Sequence, residues 1–342
     1  MEYSKIELKS FKEKVNRSIE KYLNISSKVS LSIGIYYQSG IYICNLNENE
    51  EKLYYDIGSI TKTITAHMIM KKVVDGSIDL NKDISNYICL KKGNYPSIKQ
   101  LLTHTAGYFY LSPIEITVPS LVRRNYAKKN IYLNCNKEKL IKSIERRRKN
   151  KRILKNLTYS YSDYSHALLS LVLENIENKP FSELISEYFK KMKMNNTFLS
   201  LDSERLQGVL SDKYVKAWEW NLNNPYIASG GVVSNIYDMM KYVKEEIESN
   251  DDYILEGQEV NEDSFSKNGR IGMCLAWHTY KNSNQLWHVG GVGTFRSSVI
   301  INRKKKLGVM VLGNSKGKKS ANVHYLAKMI YSELKLKRIR IN

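Results

Sequence analysis

Ser59 and Lys62 stand three residues apart in the stretch Tyr55-Asp56-Ile57-Gly58-Ser59-Ile60-Thr61-Lys62-Thr63-Ile64. Positions i and i+3 share a helix face, so a helix beginning near Ser59 would aim both side chains at one place. Serine is a weak nucleophile until a neighbouring base takes its proton. Lysine can be that base when burial or another cation lowers its pKa. The first turn of a helix adds free backbone N–H groups and partial positive charge, which suit a developing oxyanion. The same residues would also serve as a capped helix start with a solvent-facing lysine, so the pair needs partners elsewhere in the chain.

Two further stretches supply candidates. Tyr159-Ser160-Tyr161-Ser162-Asp163 precedes a strongly apolar run. A tyrosine beside a cation can relay a proton to a leaving group, which gives Tyr161 a role next to Ser59 and Lys62. Asp163 could hydrogen-bond Lys62 or a substrate amide, or cap the helix that follows. Trp287-His288-Val289-Gly290-Gly291 ends a predicted strand. Gly290 and Gly291 would let a substrate lie close along the strand edge. The backbone N–H of Gly291 can join that of Ser59 as a second oxyanion donor. His288 could offer the substrate a hydrogen bond or a positive charge, or simply pack.

The elements that must position these residues follow from hydrophobic period and turn chemistry. Ser4 to Asn24 carries apolar residues at helical spacing. Val29 to Cys44, with Gln38-Ser39-Gly40 in its middle, reads as a β-hairpin, and Lys52 to Ile57 as a strand leading into the serine turn. Ile60 to Val74 reads as a helix stopped by Gly76. Ser97 to Leu102, Asn136 to Arg152, Ser165 to Asn178, Phe181 to Met192, Asp238 to Ile247 and Ser320 to Leu336 read as helices. Arg270 to Tyr280, Gln285 to His288, Thr294 to Asn302 and Leu307 to Leu312 read as successive antiparallel strands. Strands at both ends with helices between them predict an α/β (α+β) fold. One antiparallel sheet is formed from both chain ends and flanked by helices, with a mainly helical subdomain inserted. The expected division of the single domain 1–342 is a sheet region at about 1–80 and 205–342 and a helical subdomain at about 81–204.

Composition narrows the function classes. The chain carries 54 Lys and Arg against 34 Asp and Glu, a net charge of +20. The lysines are dispersed, so nucleic acid is not an expected partner. The local run Arg146-Arg147-Arg148-Lys149-Asn150-Lys151-Arg152 could meet an anionic surface. Cys44, Cys89, Cys135 and Cys274 form no C-x-x-C pair, which argues against a zinc cluster or disulfide framework. No apolar run is long enough to span a bilayer and no leader-like apolar core follows Met1, so the expected location is cytoplasmic.

Taken together, the motifs resemble those of the serine β-lactamase and penicillin-binding protein superfamily, in the branch of class C β-lactamases, D-alanyl-D-alanine carboxypeptidases and esterases. That superfamily carries S-x-x-K, then Y-S-N or Y-S-D, then K-T-G or H-x-G-G. Here the three are Ser59-Ile60-Thr61-Lys62, Tyr161-Ser162-Asp163 and His288-Val289-Gly290-Gly291. Leu101-Leu102-Thr103-His104-Thr105-Ala106-Gly107 resembles its L-L-T-H-T-S-G loop, and Ala228-Ser229-Gly230-Gly231 its A-x-G-G stretch. The resemblance implies Ser59 as nucleophile, Lys62 as its base or proton partner, and Tyr161 as proton shuttle. It implies Asp163 as holder of Lys62 or the substrate amide, His288 as a steadier of substrate charge, and the N–H groups of Ser59 and Gly291 as oxyanion hole. It implies a small peptide-like or ester substrate, an acyl-serine intermediate, and no metal or organic cofactor. β-Lactam hydrolysis, acyl transfer and a slowly acylating sensor stay open on the same residues. His104 is expected to be structural, and His67 is given no chemistry. Three departures bear on the pocket: Asp163 where Asn is commoner, Lys155-Asn156 where Pro-Gly is usual, and Ser165-His166 in place of Gly-Tyr.

Overall fold

The computed structural model describes residues 30–45, 53–108, 130–147, 159–200, 218–266, 268–314 and 323–336. The helix expected over Ser4 to Asn24 and the Lys155-Asn156 departure lie outside them. The elements in chain order are β1 (Ser30–Tyr37), β2 (Gly40–Asn45), β3 (Tyr55–Asp56), α1 (Thr61–Val74), α2 (Ile98–Leu102), α3 (Lys137–Arg147), α4 (Asp163–Glu177) and α5 (Phe181–Lys191). They continue with β4 (Phe198–Leu199), α6 (Ile227–Gly230), β5 (Val232–Ser234), α7 (Ile236–Glu248) and α8 (Asp252–Gly257). The last are β6 (Ile271–Met273), β7 (His278–Tyr280), β8 (Leu286–Val292), β9 (Phe295–Asn302), β10 (Leu307–Asn314) and α9 (Val323–Leu336).

The main sheet runs β2-β1-β10-β9-β8-β7-β6 and is antiparallel throughout. β1 and β2 form the expected hairpin, and β1 is then zipped to β10 from Ser30–Asn314 to Tyr37–Leu307. Successive side chains of a strand point to opposite faces. On β10 that alternation is visible in the packing. Val309 and Val311 join Val323, Leu326 and Ile330 of α9 on one face. Met310 and Leu312 join Met239, Met240 and Val243 of α7 on the other. With both faces covered, β10 is buried along its whole length, which is why it reads as a continuous apolar run. The short strand β3 belongs to a separate small sheet, β3-β5-β4, which carries the chain into the Ser59 turn.

Arg270 to Tyr280 is not one strand. It folds back through Cys274-Leu275-Ala276-Trp277 into the β6–β7 pair, with Ala276 at φ +66°. Tertiary bonds hold this turn: the N–H of Ala276 donates to Leu102 O at 3.2 Å and that of Leu275 to Gly257 O at 3.1 Å. Trp277 is buried against Tyr242. An unbroken apolar stretch conceals a turn whose cause lies in α2 and α8.

Behind α1, His67 joins a buried polar knot. Its Nε2 lies 2.9 Å from Glu246 Oε1, and its Nδ1 lies 3.0 Å from Tyr188 Oη. Gln258 Nε2 donates to Glu246 Oε2 at 2.6 Å. The knot ties α1 to α5 and α7 and to the end of α8. Removing one partner of a buried pair strands the other. Glu246→Leu is therefore expected to cost about 3 kcal/mol or more, read as a lower urea midpoint with an unchanged slope.

Candidate active site

The site is built where α1, the turn before α4, α6 and β8 meet. Gly58 sits at φ +51°, a conformation glycine tolerates, and opens the 3-10 turn that carries Ser59 into α1. Asp56 Oδ1 accepts from the N–H of Gly58 at 3.0 Å and stabilises that turn. Burial raises the Asp56 carboxyl to about 8. The turn is docked on the sheet. Ser297 Oγ donates to Ile57 O at 2.7 Å, and a Cβ on Gly290 would lie 2.0 Å from that same oxygen. A Cβ on Gly58 would lie 2.6 Å from the backbone nitrogen of Gly291. Gly290 thus makes room for the serine turn itself, and the peptides flanking Ser59 and Gly291 come together through bare backbone.

Lys62 projects from the first turn of α1 and is fully buried. Its Nζ donates to Ser59 Oγ at 3.0 Å and to Ser229 O, on α6, at 2.7 Å. It lies 2.6 Å from Asp163 Oδ1 and 5.1 Å from the centre of the Tyr161 ring. Burial lowers the Lys62 pKa, and the Asp163 carboxylate works against that shift without cancelling it. Lys62 is therefore a better base than a surface lysine, but a poorer one than the same lysine without Asp163.

The Asp163 geometry decides between its alternative roles. Ser162 is the N-cap of α4, its Oγ accepting from the N–H of Ser165 at 3.3 Å, so α4 starts two residues earlier than its apolar pattern suggests. That releases Asp163 to face inward, where its second oxygen accepts from Tyr132 Oη at 2.7 Å. The preceding turn is held by His104, at φ +57°. The His104 carbonyl accepts from the N–H of Ser160 at 2.8 Å, and its Nδ1 accepts from the N–H of Ser162 at 3.2 Å. These bonds bracket Tyr161 and give His104 a structural role.

His288 corrects one expectation. It is fully buried and its Nδ1 lies 2.9 Å from its neighbour's carbonyl, Val289 O. A carbonyl only accepts, so Nδ1 carries the proton and Nε2 the lone pair. Burial, with nearby His278 and Lys62, holds its pKa well below the usual range. His288 offers no positive charge. It is one of four buried imidazoles around Tyr161. His104 lies 4.6 Å from the Tyr161 ring between centroids, His278 5.9 Å and His288 6.2 Å, with His166 5.2 Å from His104. His278 also shares a 2.9 Å hydrogen bond with Tyr159 Oη. Burial drives His104 and His166 well below the ordinary histidine range and His278 down to about 3.

Ser59, Lys62, Tyr161, Asp163, His288, Gly290 and Gly291 are thus brought to one place. Sequence reasoning missed the Ser229 carbonyl, Tyr132, Asp56 and His278. Only Ser229 had a signal, its place in Ala228-Ser229-Gly230-Gly231. Among the described residues no cluster of three or more His, Cys, Asp or Glu could hold a metal ion. Nor is any described helix long and apolar enough to cross a membrane. Of the basic run, Arg146 and Arg147 end α3, with the Arg147 guanidinium 5.9 Å over the Tyr164 ring; Arg148 to Arg152 lie outside the described residues.

With this geometry in place, comparison with known proteins is informative. A family model described as Beta-lactamase matches residues 47–330. The chain belongs to the beta-lactamase family. A Staphylococcus aureus (strain MRSA252) relative, Protein flp, is 26% identical over 296 residues, covering 81% of this chain and 54% of that protein. The chain thus spans about half the length of that relative. A beta-lactamase/D-alanine carboxypeptidase from Pseudomonas syringae superposes with TM-score 0.73 at 19% identity, covering 95% of this chain and 98% of the other. The octameric penicillin-binding protein homologue from Pyrococcus abyssi superposes with TM-score 0.70 at 21% identity, covering 97% and 77%. At these identities the structural likeness establishes the fold of the family: a helix-flanked antiparallel sheet.

Two outcomes follow from the electrostatics of this beta-lactamase-family site. Asp163→Asn removes the anion that favours charged Lys62. The ascending limb of the pH profile of Ser59 acylation is expected to move to lower pH, and an unchanged limb would show that Asp163 does not govern Lys62. The imidazoles set a second trend. Their folded-state pKa values lie below the unfolded value of about 6.5, so in acid the unfolded chain binds more protons. Their burial adds no pH-dependent cost above about pH 6.5; below it, each imidazole costs about 1.4 kcal/mol of stability per pH unit until its folded pKa is reached. Neither ring nitrogen of His166 has a hydrogen-bond partner. His166→Phe is expected to flatten the fall of Tm between pH 6.5 and 5, measured by scanning calorimetry; an equally steep fall would refute the account.

Proposed function

We propose that this chain is a serine hydrolase that cleaves an ester or amide through a covalent acyl-serine on Ser59. The observation that carries the reading is the 3.0 Å contact between Ser59 Oγ and Lys62 Nζ, at a lysine whose pKa burial lowers. Family membership supports it. Neutral Lys62 takes the Ser59 proton as Oγ attacks the substrate carbonyl. The N–H groups of Ser59 and Gly291, at the docked peptides, receive the developing oxyanion. Tyr161, beside the Lys62 ammonium, gives its hydroxyl proton to the leaving group as the tetrahedral intermediate collapses and regains one from Lys62, which returns to its neutral form. Water, activated by the same groups in reverse, then releases the acid. The relative from Pseudomonas syringae is described as a beta-lactamase/D-alanine carboxypeptidase, which supports a peptide-like acyl donor.

The Lys62–Asp163 contact favours a second reading, a slowly acylating sensor, because it holds the base partly in its charged form. Intact-mass analysis separates the two. A fluorophosphonate probe is expected to add one label per chain to the wild type and none to Ser59→Ala. Equal labelling of the variant, or none of the wild type, would refute the nucleophile. An ester substrate is then expected to turn over repeatedly; a substrate-derived acyl adduct that persists for hours without turnover would favour the sensor.

A further inference from the structure

Among the described residues, the groups that reach the surface of the site are uncharged. Ser59, Tyr159, Ser160, Tyr161, Val289 and Gly291 are each half-buried, and none carries a formal charge in the resting site. Both charges lie beneath them, on the Lys62–Asp163 pair. A lysine ammonium has three N–H donors. Lys62 donates to Ser59 Oγ and Ser229 O and lies 2.6 Å from Asp163 Oδ1, so its charge is met by buried protein oxygens before any substrate anion arrives. The imidazole shell adds no cation, and the unprotonated Nε2 of His288 is an acceptor that repels an anionic oxygen.

Arg296 is the basic residue that pairs across from Gly291. It lies on the other face of the sheet. The Cβ direction of Gly290 meets the serine turn, whereas that of Gly291 meets Arg296 Cδ at 3.4 Å, and adjacent residues of a strand point oppositely. The Arg296 guanidinium donates to Gly293 O and Phe295 O at 3.1 and 2.6 Å. Alongside, β7 pairs with β8 only at His278–Trp287 and Thr279–Leu286, so β8 beyond Trp287 lacks a β7 partner on that edge. A peptide-like or ester group can lie there on main-chain hydrogen bonds alone. A carboxylate at that edge would lose water without gaining an ion pair to any described residue.

We infer that this site takes substrates uncharged beside the scissile bond, neutral esters with an aromatic or apolar leaving group above all, and discriminates against those bearing a carboxylate there. Tyr159 and Tyr161 offer the leaving group an aromatic wall. The inference rests on the acyl-serine reading above and narrows its substrate class. The net charge of +20 draws anions toward the protein at long range and would mask a local preference at low salt.

The test compares two esters with the same acyl group, m-carbamoylphenyl phenylacetate and m-carboxyphenyl phenylacetate, at about 0.15 M salt, where long-range steering is screened. The rate of phenylacetyl adduct formation on Ser59 is read by intact mass and the phenol released by absorbance. The carbamoyl ester is expected to acylate about tenfold faster or more. Ser160→Lys, which places a cation at the half-buried lip, is expected to narrow that ratio; a ratio it leaves unmoved would overturn the electrostatic cause. Equal or faster acylation by the carboxylate ester, or acylation by neither ester in protein that fluorophosphonate labels, overturns this inference and leaves the acyl-serine reading standing. Failure of both esters together with failure of the label overturns both.

Discussion

A lysine ammonium taken wholly out of water must be surrounded by acceptors, and this requirement organises the site. Lys62 meets it with one acceptor from its own helix turn, one from the head of α4 and one from α6. Three elements from distant parts of the chain converge on a single nitrogen. Each has local devices that make the convergence possible. Ser162 takes over the capping of α4, so Asp163 is not spent on it. Tyr132 occupies the second oxygen of Asp163 and fixes the carboxylate plane. His104 accepts a backbone left-handed turn and uses both its carbonyl and its ring to hold the Tyr161 segment.

The burial that depresses Lys62 also keeps the four surrounding imidazoles uncharged. Desolvation and the Asp163 carboxylate pull Lys62 in opposite directions, and desolvation wins. An additional cation in the shell would depress Lys62 further and charge the interior. Neutral histidines give polar, polarisable walls without that cost. Among the described residues the site therefore concentrates its electrostatics into one buried pair and presents a neutral surface above it.

Much of this was legible in the amino-acid order, because the signals were local. The helix after Ser59, its stop at Gly76, the β1–β2 hairpin and the strand ending in Gly290-Gly291 all announce themselves through period and turn residues. The family motifs placed Ser59, Lys62, Tyr161 and Asp163 in one site. What stayed hidden depends on contacts across the fold. The β6–β7 turn is made by amides that bond to α2 and α8. The protonation of His288 is set by burial and by its own carbonyl neighbour, and a histidine beside two glycines carries no mark of either. Tyr132 stands far from any motif, and its hydroxyl acquires meaning only once α4 is capped by Ser162.

The register of the main sheet has a consequence for how the protein comes into being. Ser30 pairs with Asn314, and the turn carrying Ser59 rests on Gly290 and Gly291. During synthesis Ser59, the proposed nucleophile, leaves the ribosome long before β8, whose Gly291 is proposed to complete the oxyanion hole. Contacts of such high sequence separation make folding slow and postpone the closing of the sheet. Until then β1 and β2 form an unprotected edge rich in Ile and Tyr, open to wrong partners. The proposed chemistry thus waits on the last strands of the chain, because the Ser59 turn rests on residues of β8 and β9, and a chain halted before them holds the serine and the lysine without that support.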